Sequence, residues 1–385
     1  MFLKQTLKRN KELIRVAKEY HISGLIEPDT YVIDLDTTLN NAQKILEKAK
    51  SKNIELYFMT KQFGRNPLMA RELMNLGYRS SVVVDFREAE IMMENKIPIG
   101  NLGHLVQPPK FCLEKIMKYG CEVITVYSLE KIKEIDVIAK KLDIKQDILL
   151  KVFDDEDLVY PGQEGGFHVL SLEKIIDEVM LLKNVRIVGA TSFPAFLFNS
   201  NTFKVESTNN HETIYSAIKI LRNRGVEVQQ INLPSTTSVL TLENIDEINE
   251  KCIFMEPGHG LTGTTPSHAI MDLEEIPSVV YVSEISHTFK DKSYAYGGGY
   301  YRRSHLENAV VFNNDSEIIT RVNTPAPTNI DYTFELEGIH PVCSTVIMAF
   351  RFQIFTSRSK VAVVKGIQSN NPVIVGIFDS QGRKL

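Results

Sequence analysis

Residues 55–67 read Glu-Leu-Tyr-Phe-Met-Thr-Lys-Gln-Phe-Gly-Arg-Asn-Pro. The stretch Glu55–Thr60 is short, aromatic and apolar, the pattern of a buried strand, and Lys61 stands at its end. Working outward, similar runs occur at Tyr31–Asp34, Ser81–Asp85, Ile97–Gly100, Glu122–Val126, Ile148–Phe153, Arg186–Ala190, Val226–Ile231 and Cys252–Met255. Between them lie stripes at helical spacing: Leu129, Ile132, Ile135, Ala139 and Leu142; Leu172, Ile175, Ile176, Val179 and Leu182; Ile214, Ala217, Ile218 and Leu221. Strands alternating with amphipathic helices predict parallel strands with helical crossovers, and about eight such units close a (β/α)8 TIM-type barrel. Nine candidate strands are one too many, so Tyr31–Asp34 either leads into the barrel or belongs to a second domain.

Beyond Pro277 the helical period disappears. Val279–Ile285, Ala309–Phe312, Thr345–Thr356 and Val361–Val364 predict strands separated by turns such as Gly297–Gly299. The expected organisation is an N-terminal helical segment over residues 1–28, a barrel over 29–276 and a C-terminal β domain over 277–385. The first helix, about Leu3 to Tyr20, can pack on either part.

Composition narrows the function. The 385 residues contain 43% hydrophobic side chains and carry a formal net charge of −4, so no basic excess suggests a nucleic-acid partner. No apolar run is long enough for a bilayer, and the basic start lacks a signal-peptide core, so a cytosolic protein is expected. The four cysteines, Cys112, Cys121, Cys252 and Cys343, form no CxxC pair, and the nine histidines form no HExxH helix. Neither a disulfide framework nor a metal site is indicated.

Three places carry chemistry. A lysine ending a barrel strand faces the mouth, where desolvation favours Schiff-base formation; its plainer reading is a lysine reaching solvent. Pro234-Ser235-Thr236-Thr237-Ser238 offers hydroxyls and backbone amides for a phosphate, or simply caps a helix. Glu256-Pro257-Gly258-His259-Gly260 places glycines where an anion can approach the backbone, or makes a domain-boundary turn. If Tyr31–Asp34 is set aside, these are the loops after the last two barrel strands, where barrels often bind phosphate, and Lys61 ends the adjacent first strand.

Tyr-Val-Ile-Asp-Leu-Asp at residues 31–36, Lys61 after a strand and the late Glu-Pro-Gly resemble fold-type III pyridoxal-phosphate enzymes. That group includes alanine racemase and the ornithine and diaminopimelate decarboxylases. The likeness is greatest to YhfX-type, alanine-racemase-like proteins and extends to Gly-Asn-Leu-Gly-His-Leu-Val-Gln at 100–107 and Phe-Arg-Phe-Gln-Ile-Phe at 350–355. The resemblance implies pyridoxal phosphate on Lys61 and Glu256 paired with the pyridine nitrogen. It also implies a phosphate cradle from Ser235, Thr236, Thr237, Ser238, Gly258, His259 and Gly260. It further implies an amino-acid substrate, a homodimer, and a second acid/base at Cys343 supplied by the partner's β domain. Tyr294, Tyr296, Tyr300 and Tyr301 are rivals for that role, and Cys343 is otherwise a small buried core residue.

Three departures stand out. His259 replaces the arginine of the decarboxylase motif. Gly189–Pro194 lacks a histidine that relatives carry near the cofactor ring. The loop Gly162-Gln163-Glu164-Gly165-Gly166 lacks the arginine that racemases place there. Arg302, Arg303, Arg351 and Arg358 could bind a substrate carboxylate. The implied function is an amino-acid racemase or epimerase. Alternatives are a decarboxylase or lyase on the same scaffold, a pyridoxal-phosphate carrier without turnover, and a Schiff-base aldolase needing no cofactor.

Overall fold

The computed structural model describes residues 1–245, 252–313 and 316–385. Two compact units emerge: one of residues 45–60 and 70–258, the other of residues 1–44, 61–69 and 259–385.

The first unit is the barrel. After β1 (Thr30–Asp34), which lies in the other unit, the chain forms β2 (Ile54–Met59), β3 (Ser80–Val83), β4 (Ile99–Leu102), β5 (Cys121–Val126), β6 (Gln146–Phe153), β7 (Val185–Thr191), β8 (Gln230–Asn232) and β9 (Ile253–Met255). Each pairs in parallel with the next, and β9 returns to β2 through Ile253↔Ile54, closing eight strands. The intervening helices bury the expected stripes: Ile132, Ile135 and Ala139 on one, Ile214, Ala217, Ile218 and Leu221 on another. Ser128 caps the first of these by accepting from the Lys131 amide.

Two strands are displaced from their sequence positions. Ile97 still caps the preceding helix through Met92 O, and Pro98 offers no N–H, so β4 begins at Ile99. Val226 likewise bonds back to Leu221 O, and β8 begins at Gln230, opposite Gly189.

The second unit resolves the surplus strand. β1 pairs antiparallel with β10 (Val279–Phe289) and parallel with β16 (Lys360–Lys365), and is buried along its whole length. Residues 29–44, 61–69 and 259–276, read from sequence as barrel, group with the β domain. Its remaining strands are β11 (Lys292–Tyr296), β12 (Asn308–Asn313), β13 (Ser316–Asn323), β14 (Thr333–Glu337), β15 (Thr345–Met348) and β17 (Val373–Asp379). The expected strand Thr345–Thr356 stops at Met348. The Arg351 amide turns to Ser304 O, and a 3-10 turn follows at Ile354–Thr356.

The N-terminal helix is two helices, Phe2–Arg9 and Lys11–Ile22, because Asn10 caps the second by accepting from Leu13 N. They pack Leu13, Val16 and Ala17 onto Val32, Val280, Ile347 and Ala362 of the β sheet.

Candidate active site

In the barrel unit, Glu256 is the first residue after β9 and its side chain is fully buried. Its Oε1 accepts from Asn101 Nδ2 at 3.1 Å and Asn232 Nδ2 at 2.9 Å. Each asparagine is oriented in turn: Thr125 donates to Asn101 Oδ1 (2.8 Å) and Thr191 to Asn232 Oδ1 (2.9 Å). Oε2 accepts no hydrogen bond from the described residues and faces His104 Nε2 at 3.5 Å. One carboxyl oxygen is thus held by two amides while the other awaits a donor. A buried acceptor without a hydrogen-bond donor is costly. His104 is itself buried, edge-on to Phe193, with Tyr127 Oη donating to its carbonyl at 2.7 Å.

The loop after β8 divides its predicted residues. Ser238 caps the short helix Val239–Asn244, the plainer of its two readings. Thr236 Oγ1 donates to Phe196 O at 3.2 Å. The Thr237 hydroxyl is buried and has no partner among the described residues. Ser235 and Thr236 both hold positive φ, 118° and 45°, uncommon for residues with a Cβ and frequent at ligand-binding loops. Gly258 is buried, and the preceding Pro257 carbonyl accepts from Met59 N, tying this segment to β2. The β2 end is held again where Thr60 Oγ1 donates to the buried Glu88 carboxyl.

In the other unit, Lys61 opens a 3-10 turn, Lys61–Phe63, that packs on the Phe350–Phe355 segment. Gly64 (φ 69°) lies so close to Ile354 that a Cβ there would sit 2.9 Å from its Cγ2. Buried Arg65 stacks on Phe355 and donates to Gln381 Oε1 at 2.7 Å. The Phe-Arg-Phe-Gln-Ile-Phe motif therefore supports the turn that carries Lys61. His259 donates from Nε2 to Phe352 O (2.9 Å), and Gln62 Nε2 lies 3.4 Å from its Nδ1. Burial, then Arg351 and Lys61, hold this imidazole well below its ordinary pKa. Where the decarboxylase motif has a permanent cation, this chain has an imidazole. Gly260 is also buried in this unit.

Cys343 is exposed, contrary to its plainer reading, and sits in a turn with φ 69°, its amide bonded to Ile285 O. Tyr294 does what its plainer reading proposed: it stacks on His287 and bonds Glu335. Arg302 and Arg358 are engaged by the Pro327 and Asp331 carbonyls.

Sequence reading missed Asn101, Asn232 and Lys151. All three are polar residues inside apolar strand patterns, and that interruption was the available signal. Among the described residues, one group could gather around a cation: Asp154, Asp155 and His168. There His168 Nδ1 accepts from Leu170 N, so the proton stands on Nε2, 3.4 Å from Asp155 Oδ1. This makes a donor, not a ligand.

Residues 33–266 match the family model for the alanine racemase N-terminal domain, and residues 280–374 match that for the YhfX-like C-terminal domain. The chain belongs to the alanine-racemase-like family of fold-type III pyridoxal-phosphate enzymes. It is 42% identical to the uncharacterized protein YhfX of Escherichia coli (strain K12), covering 100% of both chains. Solved structures share the fold. D-threonine aldolase from Filomicrobium marinum aligns with a TM-score of 0.67 at 15% identity, over 92% of this chain and 94% of its own. Alanine racemase from Clostridium difficile 630 aligns at 0.62 and 17%, over 91% and 98%. Diaminopimelate decarboxylase from M. jannaschii aligns at 0.62 and 15%, over 92% and 89%. Members of this family bind pyridoxal phosphate. The residues present fit that group: Glu256 Oε2 lacks a donor where a protonated pyridine would supply one, and Thr237 keeps a buried hydroxyl for an anion. Among the described residues no helix is long and apolar enough to cross a membrane.

Proposed function

We propose that this chain is a pyridoxal-phosphate-dependent amino-acid racemase or epimerase, active as a homodimer. The observation carrying the reading is the Glu256 carboxyl, fixed through Oε1 by Asn101 and Asn232 with Oε2 left for a ring-nitrogen proton. Bound there, pyridoxal phosphate supplies an electron sink that acidifies the Cα proton of an attached amino acid. Glu256 keeps that sink strong by favouring the protonated ring.

Lys61 lies two residues beyond β2, and Glu256 one residue beyond β9, the strand paired with β2. That topology supports Lys61 as the lysine that holds the cofactor and moves the proton on one face. Ser235, Thr236, Thr237, Ser238, Gly258, His259 and Gly260 are assigned to the phosphate, with the Thr237 hydroxyl the strongest support. Cys343 is assigned to the opposite face, reaching it from a second copy of the chain. Its exposure supports that assignment.

One feature favours a decarboxylase instead: Glu256 opens a Glu-Pro-Gly run of the decarboxylase type. Incubation with enantiopure amino acids, followed by chiral chromatography, separates the two. A racemase scrambles the enantiomer without loss of amino acid; release of carbon dioxide with a new amine would overturn the reading.

A further inference from the structure

On β6, Leu149 points into the barrel with Val123 and Val188. The two-residue period of a strand puts Lys151 on the same face, one step nearer the strand's C-terminal end. Lys151 pairs in register with Thr191, which orients the Asn232 side chain. It is 7% exposed. Its ammonium donates to Gln163 O at 2.6 Å and lies 4.4 Å from the centre of the Tyr127 ring. Tyr127 bonds the His104 carbonyl, and His104 faces Glu256 Oε2, so the lysine belongs to the same ring of side chains.

What this ammonium lacks is an anion. Three N–H donors are available and one carbonyl uses one of them. The acid that acts on it among the described residues is Glu164, an exposed side chain on the loop above. Desolvation consequently pushes the Lys151 ammonium down to about 8. A buried cation with an aromatic face and a carbonyl, but no close carboxylate, is strongly favourable to an incoming anion. The Gly162–Gly166 loop, where the family resemblance leads one to expect arginine, offers Gln163 and Glu164. The loop carbonyl instead takes a bond from the strand lysine beneath it.

We infer that Lys151 is the carboxylate receptor of the substrate site, supplying from strand β6 the cation that the neighbouring loop lacks. This rests on the amino-acid reading above and adds a specificity residue to it. The carboxylate is either the α-carboxylate or a second one on the substrate side chain.

The test is calorimetric titration of the cofactor-loaded full chain with acetate and with succinate across pH, comparing wild type, Lys151→Met and Lys151→Arg. Groups facing Lys151 are Tyr127, Glu164 and, through Tyr127, His104; burial pushes the Tyr127 phenol up, away from the measured range. Only the protonated amine binds, so wild-type affinity should fall roughly tenfold per pH unit above about pH 8. Lys151→Arg should bind without that fall, and Lys151→Met should lose at least roughly tenfold at neutral pH. A succinate preference of similar size assigns the side-chain carboxylate; equal affinities assign the α-carboxylate. A folded Lys151→Met protein that binds like wild type, or wild-type binding flat through pH 9, overturns the inference. Racemisation with Lys151-independent carboxylate binding sinks this inference alone. Lys151-dependent binding without racemisation upholds it and sinks the racemase reading.

Discussion

The side-chain amide of Asn232 donates to Glu256 Oε1 over 2.9 Å, and Thr191 holds that amide in place from behind. Asn232→Ala removes one donor from a buried carboxyl and strands the Thr191 hydroxyl, so stability should fall by about 1–3 kcal/mol. Glu256→Gln keeps the shape but replaces the free acceptor or turns a donor towards the ring. Its affinity for pyridoxal phosphate, read by absorbance titration, should fall roughly tenfold or more. An unchanged affinity would remove Glu256 from the cofactor's ring.

Lys61 should carry the covalent link. Borohydride reduction of the loaded protein, followed by peptide mapping, should place the pyridoxyl label on Lys61, and Lys61→Ala should lose both label and visible absorption. A label on Lys151 or any other lysine would refute the assignment.

Thr237 and Thr236 should behave differently, although they are neighbours of one type. Thr237→Val replaces a buried hydroxyl that no described residue satisfies, so the apo-protein should melt at or above the wild-type temperature while cofactor affinity drops. Thr236→Val breaks the bond to Phe196 O and should lower the apo melting temperature as well. Unchanged cofactor affinity in Thr237→Val would take this hydroxyl out of the phosphate site.

The barrel was legible because its strands are buried on both faces and its helices keep a clean period. β1 was ambiguous for the same reason: Thr30–Asp34 is buried throughout as an interior strand of a mixed sheet, and such a run reads like a barrel strand. β13 was invisible because Ser316, Glu317, Ile318 and Ile319 are all exposed, so no apolar alternation marks it. Of the candidate site residues, Lys61 and Glu256 could be placed by their strand ends. The Asn101–Glu256 bond could not, since register brings together residues 155 positions apart.

Asp29 should be a pH-dependent weak point of the β domain. It accepts from Tyr281 Oη at 2.7 Å and from Ser359, against Gly298 at φ 131°, where a Cβ would lie 2.0 Å from Oδ2. Burial, opposed by those hydrogen bonds and reinforced by Asp331, raises its carboxyl to about 6. An acid raised on folding favours the native state below its unfolded value and loses that contribution as pH rises through the folded one. Asp29→Asn should therefore raise the melting temperature at pH 8, by at most about 3 kcal/mol of stability, and change little near pH 4. Equal melting shifts at both pH values would show that its charge is not the cause.

Cys343 separates turn geometry from chemistry. At φ 69° a cysteine is strained and glycine is not, so Cys343→Gly should melt no lower than wild type while removing the thiol. If that variant racemises normally, Cys343 is a turn residue and the tyrosines around Gly297–Gly299 become the next acid candidates. If it is inactive, subunit mixing decides whose site it serves. A Lys61→Ala chain and a Cys343→Gly chain, each inactive alone, form mixed dimers with one doubly defective site and one intact site if the two residues meet across a two-fold interface. Verified mixed dimers should then regain up to about half the activity of a normal dimer. Mixed dimers that remain inactive would place lysine and cysteine in the same chain's site.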